Sequence, residues 1–434
     1  MAMFSSIILY GMVKPVFSQM AEIQTLILYC SIFISLFFEV FLLITYLEVR
    51  EELKFEAKHL SNNIERFPTV TIIVPCFNEE RTVTGTMRSL FDLDYPKDKL
   101  SIIVVDDGSY DGTLKELSKF KNHSQVTILS KENGGKHTAL NLALEHVQSE
   151  LVGCLDADSF VNPDALKKIV PFFDDTTIMA VTPSIKVYEP KTILQYVQKI
   201  EYSWGIFLRR MLSSLGALYI TPGPFSIFRT RVFRELGGYS QGHQTEDLEM
   251  ALRLQKNRYK IVNSHGAHVY TTTPLHLPAL YKQRVRWTYG FLNNVIDYRE
   301  MFFNKKYGHI GILILPIATI SIFSTLYVVG HILWDNFSRA LDTLLKFQTV
   351  GFNWQSAFPS FDWFFVSTGV VPFLVLTAVL LTFVILYLAV KMADGKARFT
   401  RGVFYYLVLY IFIVPLWLTK AVFSTVFRRR ISWR

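Results

Sequence analysis

Cysteine is scarce in this sequence: 434 residues contain three, and no cysteines and histidines have the spacing of a zinc site. Cys30 lies in an apolar run, whereas Cys76 and Cys154 end strand-like runs. A small, odd number of cysteines in such settings argues against a disulfide framework. We therefore expect three reduced, buried thiols and a domain that faces the cytosol.

Other signals are also missing. The glycine-rich stretch at 133–136 is neither a dinucleotide-binding GxGxxG loop nor a Walker loop. No polar segment carries a basic stripe interleaved with aromatics, which argues against nucleic-acid binding despite a net charge of +9. We find no internal repeat, no low-complexity tract and no signal-peptide cleavage pattern.

Apolar residues are abundant instead. They make up 50% of the chain, which includes 36 phenylalanines, and the mean hydropathy is +0.27. One large domain plus membrane segments is therefore favoured. Basic residues gather beside the apolar runs, as the positive-inside rule predicts for a membrane protein; they are Lys305, Lys306, Lys391, Lys396, Arg398, Arg401 and Arg428 to Arg430.

The apolar runs predict a multi-pass protein of the plasma membrane. The run at 5–17 is short and contains Lys14 and Pro15, so we expect an interfacial helix there. Four later runs are long enough to cross a bilayer, at 25–49, 309–333, 366–390 and 402–427.

The number of crossings is left open. Three crossings after the polar region would place Arg428 to Arg430 outside, against the positive-inside rule, whereas an even number would keep them inside. A re-entrant hairpin at 402–427, interrupted by Pro415, or a membrane-dipping segment within 334–364 would resolve the conflict. We favour a cytosolic C-terminus.

Between residues 68 and 300, β-branched runs alternate with amphipathic runs, which is typical of an α/β domain with a mainly parallel sheet. The predicted strands are 69–74, 100–105, 126–129, 151–155 and 178–182. The predicted helices are 80–91, 113–120, 135–146 and 163–172.

Two further segments, 194–218 and 278–300, mix aromatic with basic residues. We expect amphipathic helices at the membrane surface; core-facing helices of the domain are the alternative. The predicted organisation is an N-terminal segment with one membrane helix (1–50), a cytosolic domain (51–304), and a C-terminal membrane region with a basic tail (305–434).

Polar loops follow four predicted strands, and ligands bind at that edge of an open parallel sheet. One such loop alone is explained as a turn rich in Asp, Asn and Gly, but four in succession indicate a binding edge. Asp156 and Asp158 are alternate residues that point to one side, so they suit a hard cation such as Mg²⁺ or Mn²⁺. The loops are 74–79, 105–109, 133–136 and 155–158.

Two later motifs are also polar. Thr245-Glu246-Asp247 precedes a helical pattern, with Thr245 as the candidate N-cap; the alternative is that the two acids merely favour a first helical turn. In the helical stretch 283–287, Gln-Arg-Val-Arg-Trp, the first, fourth and fifth residues share one face. An interfacial anchor is the alternative for Arg284 and Tyr281.

These motifs, in this order between apolar segments, resemble the processive family-2 glycosyltransferases, which include cellulose, chitin, hyaluronan and poly-N-acetylglucosamine synthases. The resemblance covers about residues 68–287. It implies a GT-A-like fold and an inverting enzyme that extends a β-linked polysaccharide from a UDP-sugar and couples synthesis to export. Overall size and the form of the last two motifs favour poly-β-1,6-N-acetylglucosamine, made from UDP-N-acetylglucosamine.

The resemblance also assigns roles. Asp247 would be the catalytic base, with Glu246 beside it. Asp156 and Asp158 would bind the metal, and Trp287 would stack on the acceptor sugar, which a loop at Gly223 cradles. The donor nucleotide sugar would contact Pro75, Glu79, Asp106, Asp107, Lys136, Asp156, Gln283, Arg286 and Trp287.

The sequence departs from the family in two places. Pro222 and Pro224 flank Gly223 where other members have Gly and Ser, and no Phe-x-Val-Thr gating segment follows Trp287, which disfavours cellulose. A single-addition transferase acting on a lipid and an inactive nucleotide-sugar-binding scaffold are the alternative functions. The expected partners are a UDP-sugar, a polysaccharide or lipid acceptor and the bilayer, with an accessory membrane subunit left open.

Overall fold

The computed structural model describes residues 2–59, 66–351, 369–396 and 400–429. The chain divides into two compact units. One comprises Met1–Phe41 and Ile317–Val384, and the other comprises Leu42–Pro316 and Ile385–Arg434. The second unit contains the whole sheet.

Eight strands form this sheet: β1 (Val70–Cys76), β2 (Leu100–Asp106), β3 (Val126–Ser130), β4 (Leu151–Cys154), β5 (Ser159–Val161), β6 (Ile178–Val187), β7 (Ile227–Arg229) and β8 (Lys260–Thr271). Their order is β3-β2-β1-β4-β7-β6-β8-β5. The first four neighbours run parallel, as do β6 and β8, whereas β7 is antiparallel to both of its neighbours and β5 to β8. The sheet is therefore mixed, and the mainly parallel arrangement that we predicted holds for its first half.

Helices cover the sheet: α2 (Val83–Phe91), α3 (Thr113–Ser118), α4 (Lys136–Leu144), α5 (Ala165–Ile169), α6 (Ile193–Ser214), α7 (Arg231–Leu236), α8 (Glu246–Lys256) and α9 (Leu277–Asp297). Buried aliphatic side chains of β1, such as Ile72 and Val74, pack against Met87 and Leu90 of α2 in the main core. Every predicted strand and helix of the domain is present, with shifted ends. β5, β7 and β8 were not predicted; in β8, polar residues at 263–265 interrupt the apolar run.

The two aromatic segments form α6 and α9, as predicted. A capping box at Thr192 and Gln195 starts α6. This helix lies against β6 and β8 on one side, and it also contacts a C-terminal helix at residues 401–426. The alternative of a core-facing helix is therefore confirmed for α6, and its location at the membrane surface stays a prediction.

Among the described residues, four helices are long and apolar enough to cross a membrane. Their candidate spans are Glu22–Glu52 within α1 (Ala2–His59), Ile310–Thr349 including most of α10 (Leu315–Val350), α11 (Val370–Asp394) and α12 (Arg401–Val426). The run at 5–17 continues into α1 instead of forming a separate helix, and α12 passes through Pro415 without a break. The re-entrant hairpin is therefore wrong. Of the membrane-dipping segment, 334–350 belongs to α10, and 352–364 lies outside the described residues.

The cysteines are all free. Cys76 and Cys154 are buried at the ends of β1 and β4, as expected, but Cys30 is exposed on α1, so the prediction of a buried thiol is wrong there. An apolar environment in a membrane does not require that a side chain be covered by protein.

Candidate functional site

The loops that follow β1, β2 and β4 meet at one edge of the sheet. Cys76 ends β1 in register with Asp106 at the end of β2, and the Cys76 carbonyl accepts a 2.8 Å hydrogen bond from the Asp107 amide. Asp156 follows two residues after β4. Parallel pairing thus brings the predicted carboxylates to adjacent strand ends.

The carboxylate of Asp107 is buried and closely held. It accepts hydrogen bonds from the amides of Gly134 and Gly135, at 3.0 and 2.9 Å, and the Lys131 ammonium lies 2.8 Å away. Gly135 has a φ of 91°, which favours glycine. The amides of both glycines point to Asp107. Lys131 was missed, because nothing in its local sequence links it to Asp107.

The neighbouring residues support this pocket. Asp106 is buried and accepts weaker hydrogen bonds from the Ser109 amide and the Ser130 hydroxyl, between 3.3 and 3.4 Å. Pro75 lies inside β1 opposite Val105. Glu79, in the next loop, accepts a 2.7 Å hydrogen bond from the Thr82 hydroxyl.

The Asp156 and Asp158 side chains lie close enough to interact electrostatically. Asp158 accepts hydrogen bonds from Ser159 and Thr272, at 3.1 and 3.2 Å. Burial, followed by the negative charges of Asp156 and Glu79, raises the pKa of Asp158 to about 7. A bound cation would reverse that shift, since it stabilises the charged form.

Within the described chain, no group of three or more His, Cys, Asp or Glu side chains could hold a metal ion. Mg²⁺ is usually bound through one or two carboxylates together with the phosphates of its substrate. The pair Asp156 and Asp158 therefore fits a metal that is completed by a diphosphate. It does not fit a metal held entirely by the protein.

Lys136, the first residue of α4, joins two motifs that are 90 residues apart. Its ammonium lies 2.6 Å from Asp156 and 3.0 Å from Glu246. The Gly223 backbone passes close to this pair, since a Cβ there would lie 2.6 Å from the ammonium and 3.1 Å from the Asp156 carboxylate. A side chain at 223 would therefore displace the ion pair.

The two acids at the start of α8 differ in their pKa values. Burial opposes ionisation of Glu246, but Lys136 outweighs it, so the pKa of Glu246 lies below its usual value. Burial, followed by the charge of Glu246, raises the pKa of Asp247 to about 6. Thr245 is the N-cap residue, as predicted, but its side chain does not cap the helix and donates to the Gly242 carbonyl instead.

Helix α9 lies directly against this turn. Asn294 donates to the Thr245 hydroxyl at 3.0 Å and to the Gly242 carbonyl at 2.7 Å. Gly290 allows the close approach, because a Cβ there would lie 2.9 Å from the Thr245 Cβ. Arg286 donates to the Gln244 carbonyl at 2.9 Å. Sequence reasoning missed Gly290 and Asn294.

Gln283 and Trp287 both contact Arg284. The Arg284 guanidinium lies 4.1 Å from the Trp287 ring centroid and donates to Gln283 at 2.6 Å. Its Nε and Nη2 atoms hold the Glu201 carboxylate at 2.9 and 2.6 Å, and Tyr410 of α12 donates to the same carboxylate. Arg284 is only 4% exposed, so the membrane-anchor alternative is wrong for it.

Comparison with known proteins finds glycosyltransferases that are similar to this chain. Residues 71–237 match glycosyl transferase family 2. A poly-beta-1,6-N-acetyl-D-glucosamine synthase from Staphylococcus epidermidis is 30% identical over 263 residues, which cover 60% of this chain and 63% of the relative. The synthase from Staphylococcus aureus (strain COL) is 30% identical over 270 residues, covering 62% and 65%. The chain thus spans less than two thirds of the length of these relatives.

A mannosyltransferase from Pyrobaculum calidifontis, solved in complex with GDP-Man and Mn²⁺, has a similar structure. Its TM-score is 0.57 at 19% identity, and the alignment covers 91% of this chain and 99% of that chain. The likeness confirms the GT-A-like fold class.

Proposed function

We propose that the chain is an inverting, processive membrane glycosyltransferase and that residues 71–237, which match glycosyl transferase family 2, belong to its catalytic domain. It extends a β-linked polysaccharide from a UDP-sugar, and the products of its Staphylococcus relatives favour UDP-N-acetylglucosamine. Because the chain spans less than two thirds of those relatives, donor, product and coupling to export all belong to the proposal.

One observation carries this proposal: Lys136 forms ion pairs with Asp156 and with Glu246. The carboxylate pair expected to hold the donor and the acids expected to activate the acceptor therefore lie within the reach of a single ammonium group. This lysine offsets part of the negative charge of both carboxylates. When a donor binds, its diphosphate can take over the ammonium.

The other residues of this edge fit a nucleotide sugar. We assign Asp107 to the uracil or ribose, since carboxylates accept hydrogen bonds from an imide or a diol, and its bonds to Lys131 and the glycine amides fix its position. We assign Asp156 and Asp158 to Mg²⁺ or Mn²⁺. The metal would neutralise the departing diphosphate as a Lewis acid.

We assign the role of general base to Asp247. Its carboxylate removes the proton from the acceptor hydroxyl while that oxygen bonds to the anomeric carbon of the donor. UDP leaves from the opposite face of the sugar, so the configuration inverts. A pKa of about 6 keeps most of this carboxylate ionised at neutral pH and close to the value at which a base works best.

We place the acceptor sugar against Trp287, whose ring is held from one side by Arg284. The C–H face of a sugar suits an indole ring. We also assign the loop at Gly223 to the acceptor sugar, and its backbone lies close to Lys136 and Asp156.

Contacts of α12 support three membrane crossings instead of four. Near its start, Gly402 lies beside the Tyr196 carbonyl and Val403 packs on Ile200, both in α6. Near its end, Thr425 accepts a 3.1 Å hydrogen bond from Asn293 of α9. The 23 residues between these contacts extend for about 35 Å, more than the hydrocarbon core of a bilayer.

A helix that touches one polar domain at both ends cannot place those ends on opposite sides of a bilayer. We therefore propose that α12 lies along α6 and α9 at the membrane surface. Two crossings, α10 and α11, then follow the catalytic domain, so the basic residues after α12 stay on the cytosolic side, as the positive-inside rule requires.

Vesicle labelling tests this topology. Arg428→Cys and Tyr110→Cys, each combined with Cys30→Ser, place one accessible thiol after α12 or on the catalytic domain, where Tyr110 is 82% exposed. A membrane-impermeant maleimide should label both variants in inside-out vesicles and neither in right-side-out vesicles. Labelling of the two variants from opposite sides would restore four crossings.

The activity is tested with detergent-purified protein and a panel of UDP-sugars. We expect UDP release and a high-molecular-weight polymer with UDP-N-acetylglucosamine, and shorter polymer from Trp287→Ala, because stacking of a ring is worth roughly 1–3 kcal/mol in comparable aromatic contacts. A single sugar on a lipid would favour the glycolipid alternative. Binding of donor without any UDP release would favour the inactive scaffold.

A further inference from the structure

A cavity of about 300 Å³ lies where α6 meets the end of α11 and the start of α12. It is lined by Lys199, Ile200, Val390, Asp394, Lys396 and Thr400. None of these residues belongs to the candidate site at the edge of the sheet. The cavity is as large as the smaller ligand pockets of proteins, so it has room for a ligand of its own.

The cavity has an apolar wall and a charged, accessible mouth. Ile200 and Val390 form the wall, and both are buried in a small core that also joins the three helices. The Lys199 and Asp394 side chains are 36% and 34% exposed, and Lys396 is exposed as well. A ligand that enters the cavity can therefore contact charged groups and apolar surface at the same time.

The charges in the cavity favour an anion. Two lysines and one aspartate line it, so its net charge is +1. The Lys199 ammonium lies 2.9 Å from the Asp394 carboxylate, which leaves the charge of Lys396 uncompensated within the cavity. Helix α12 also begins here: Thr400 is its N-cap residue, and the side chain of this threonine does not cap the helix. The first amides of a helix favour an anion such as a phosphate.

The cavity also lies at the boundary of the bilayer. Helix α11 is a candidate membrane span, and it ends at Asp394 beside the cavity. The Lys199 ammonium that meets Asp394 belongs to α6, which packs on the sheet of the catalytic domain. This end of α11 is therefore on the side of the catalytic domain. Lipid phosphates lie at that depth, and basic pockets between membrane helices on the cytosolic side bind anionic head groups.

We propose that this cavity binds the head group of one anionic phospholipid. The lipid phosphate pairs with Lys396 and Lys199 beside the start of α12, and the adjoining apolar part of the lipid packs against Ile200 and Val390. The bound lipid stabilises the junction of α6, α11 and α12. The site rests on the proposed crossing by α11 and is independent of the sugar transfer.

A binding titration tests the site. Delipidated protein in detergent is titrated with dihexanoyl phosphatidylglycerol, with the phosphatidylcholine that has the same chains, and with glycerol phosphate. Native mass spectrometry counts the bound molecules, and the thermal midpoint is followed. We expect one phosphatidylglycerol per chain and a midpoint that rises on binding. Its affinity should be at least ~10-fold higher than that of the other two probes, because two lysines attract the anionic head group and the apolar wall holds the lipid.

Three substitutions test the charges. Lys396→Gln should weaken phosphatidylglycerol binding about 5-fold, which is the effect of one basic residue near an anionic lipid. Asp394→Asn should strengthen binding, because it removes a negative charge and frees Lys199. Lys391→Gln is the matched control and should leave the affinity unchanged, since this exposed lysine lies on the same helix but does not line the cavity.

Equal affinity for phosphatidylglycerol and phosphatidylcholine, or equal losses in Lys391→Gln and Lys396→Gln, would overturn the site. Glycerol phosphate that binds as tightly as the lipid would overturn the lipid as its occupant. Asp394→Asn keeps the test decisive if Lys396→Gln does not fold, because loss of structure cannot produce a gain of affinity. No donor sugar is used, so a protein that binds the lipid but transfers no sugar would refute the proposed function and leave this site standing.

Discussion

The acid limb of the pH–rate profile tests the burial of Asp247 directly. A base must be ionised to act, so a pKa raised to about 6 requires kcat/KM to rise with pH through that value. At pH 5 about one tenth of such a group is ionised, whereas an aspartate with an ordinary pKa would be about nine-tenths ionised. At a saturating metal concentration, we therefore expect kcat/KM for the donor at pH 5 to be about a tenth of its plateau.

A second ionisation must be separated from the first. Asp158, with a pKa of about 7, has to lose its proton before it can bind a metal. Raising the Mn²⁺ concentration favours its charged form and should move this limb to lower pH. The limb of Asp247 should not move, because the carboxylate assigned as base does not bind the metal. UDP release measured from pH 4.5 to 8.5 at two metal concentrations distinguishes them.

Asp247→Asn provides the control for folding. The folded-state pKa of Asp247 lies above the unfolded value, so the free energy of unfolding falls as the pH rises from about 4 to about 6, and the whole penalty is present above pH 6. The neutral amide avoids this penalty, and its thermal midpoint at pH 7.5 should not fall, while turnover should drop at least ~10²-fold. A flat wild-type profile down to pH 5, or near-normal turnover of Asp247→Asn, would refute the assignment.

Three other predictions concern the same edge of the sheet. EDTA should abolish UDP release, and Mg²⁺ or Mn²⁺ should restore it; full activity in chelator would remove the metal. Gly290→Ala should push α9 away from Thr245 and lower turnover at least ~10-fold, unlike Gly330→Ala, whose Cβ meets nothing within 4 Å. Lys136→Met should lower the free energy of unfolding at pH 7 by roughly 3 kcal/mol, because two carboxylates lose their cation; an unchanged denaturant midpoint would contradict this.

Local pattern predicted the elements of the domain and the edge where the site lies. Loops that follow successive parallel strands open on one side of a sheet, so the positions of Asp107 and Asp156 follow from the strand assignments alone. The roles given to these residues stay predictions. The partners of these side chains were not predictable. The groups that hold Asp107 are Lys131 and the amides of Gly134 and Gly135, which lie in the loop after β3, and the spacing of residues along the sequence does not show that this loop folds over Asp107.

Arg284 illustrates the same limit. In the sequence, Arg284 lies among aromatic residues, and a basic residue in such a setting favours an interfacial anchor. Its actual partner, Glu201, is 83 residues away, and the pair forms only because α6 and α9 lie side by side. Only the folded arrangement therefore shows that Arg284 is paired within the protein.

The number of membrane crossings is also not predictable from local sequence. Hydropathy measures how apolar a helix is, and α12 is apolar both where Trp417 and Ala421 pack against protein and where Phe412 and Leu416 are exposed. A crossing helix and one that lies along an apolar platform therefore look alike in sequence. What separates them is whether both ends return to the same domain, and the hydrogen bond from Asn293 to Thr425 is one of the contacts on which the proposed three crossings rest. The positive-inside rule also favours an even number of crossings after the catalytic domain. It depends on the basic residues that follow α12 and does not depend on how apolar each helix is.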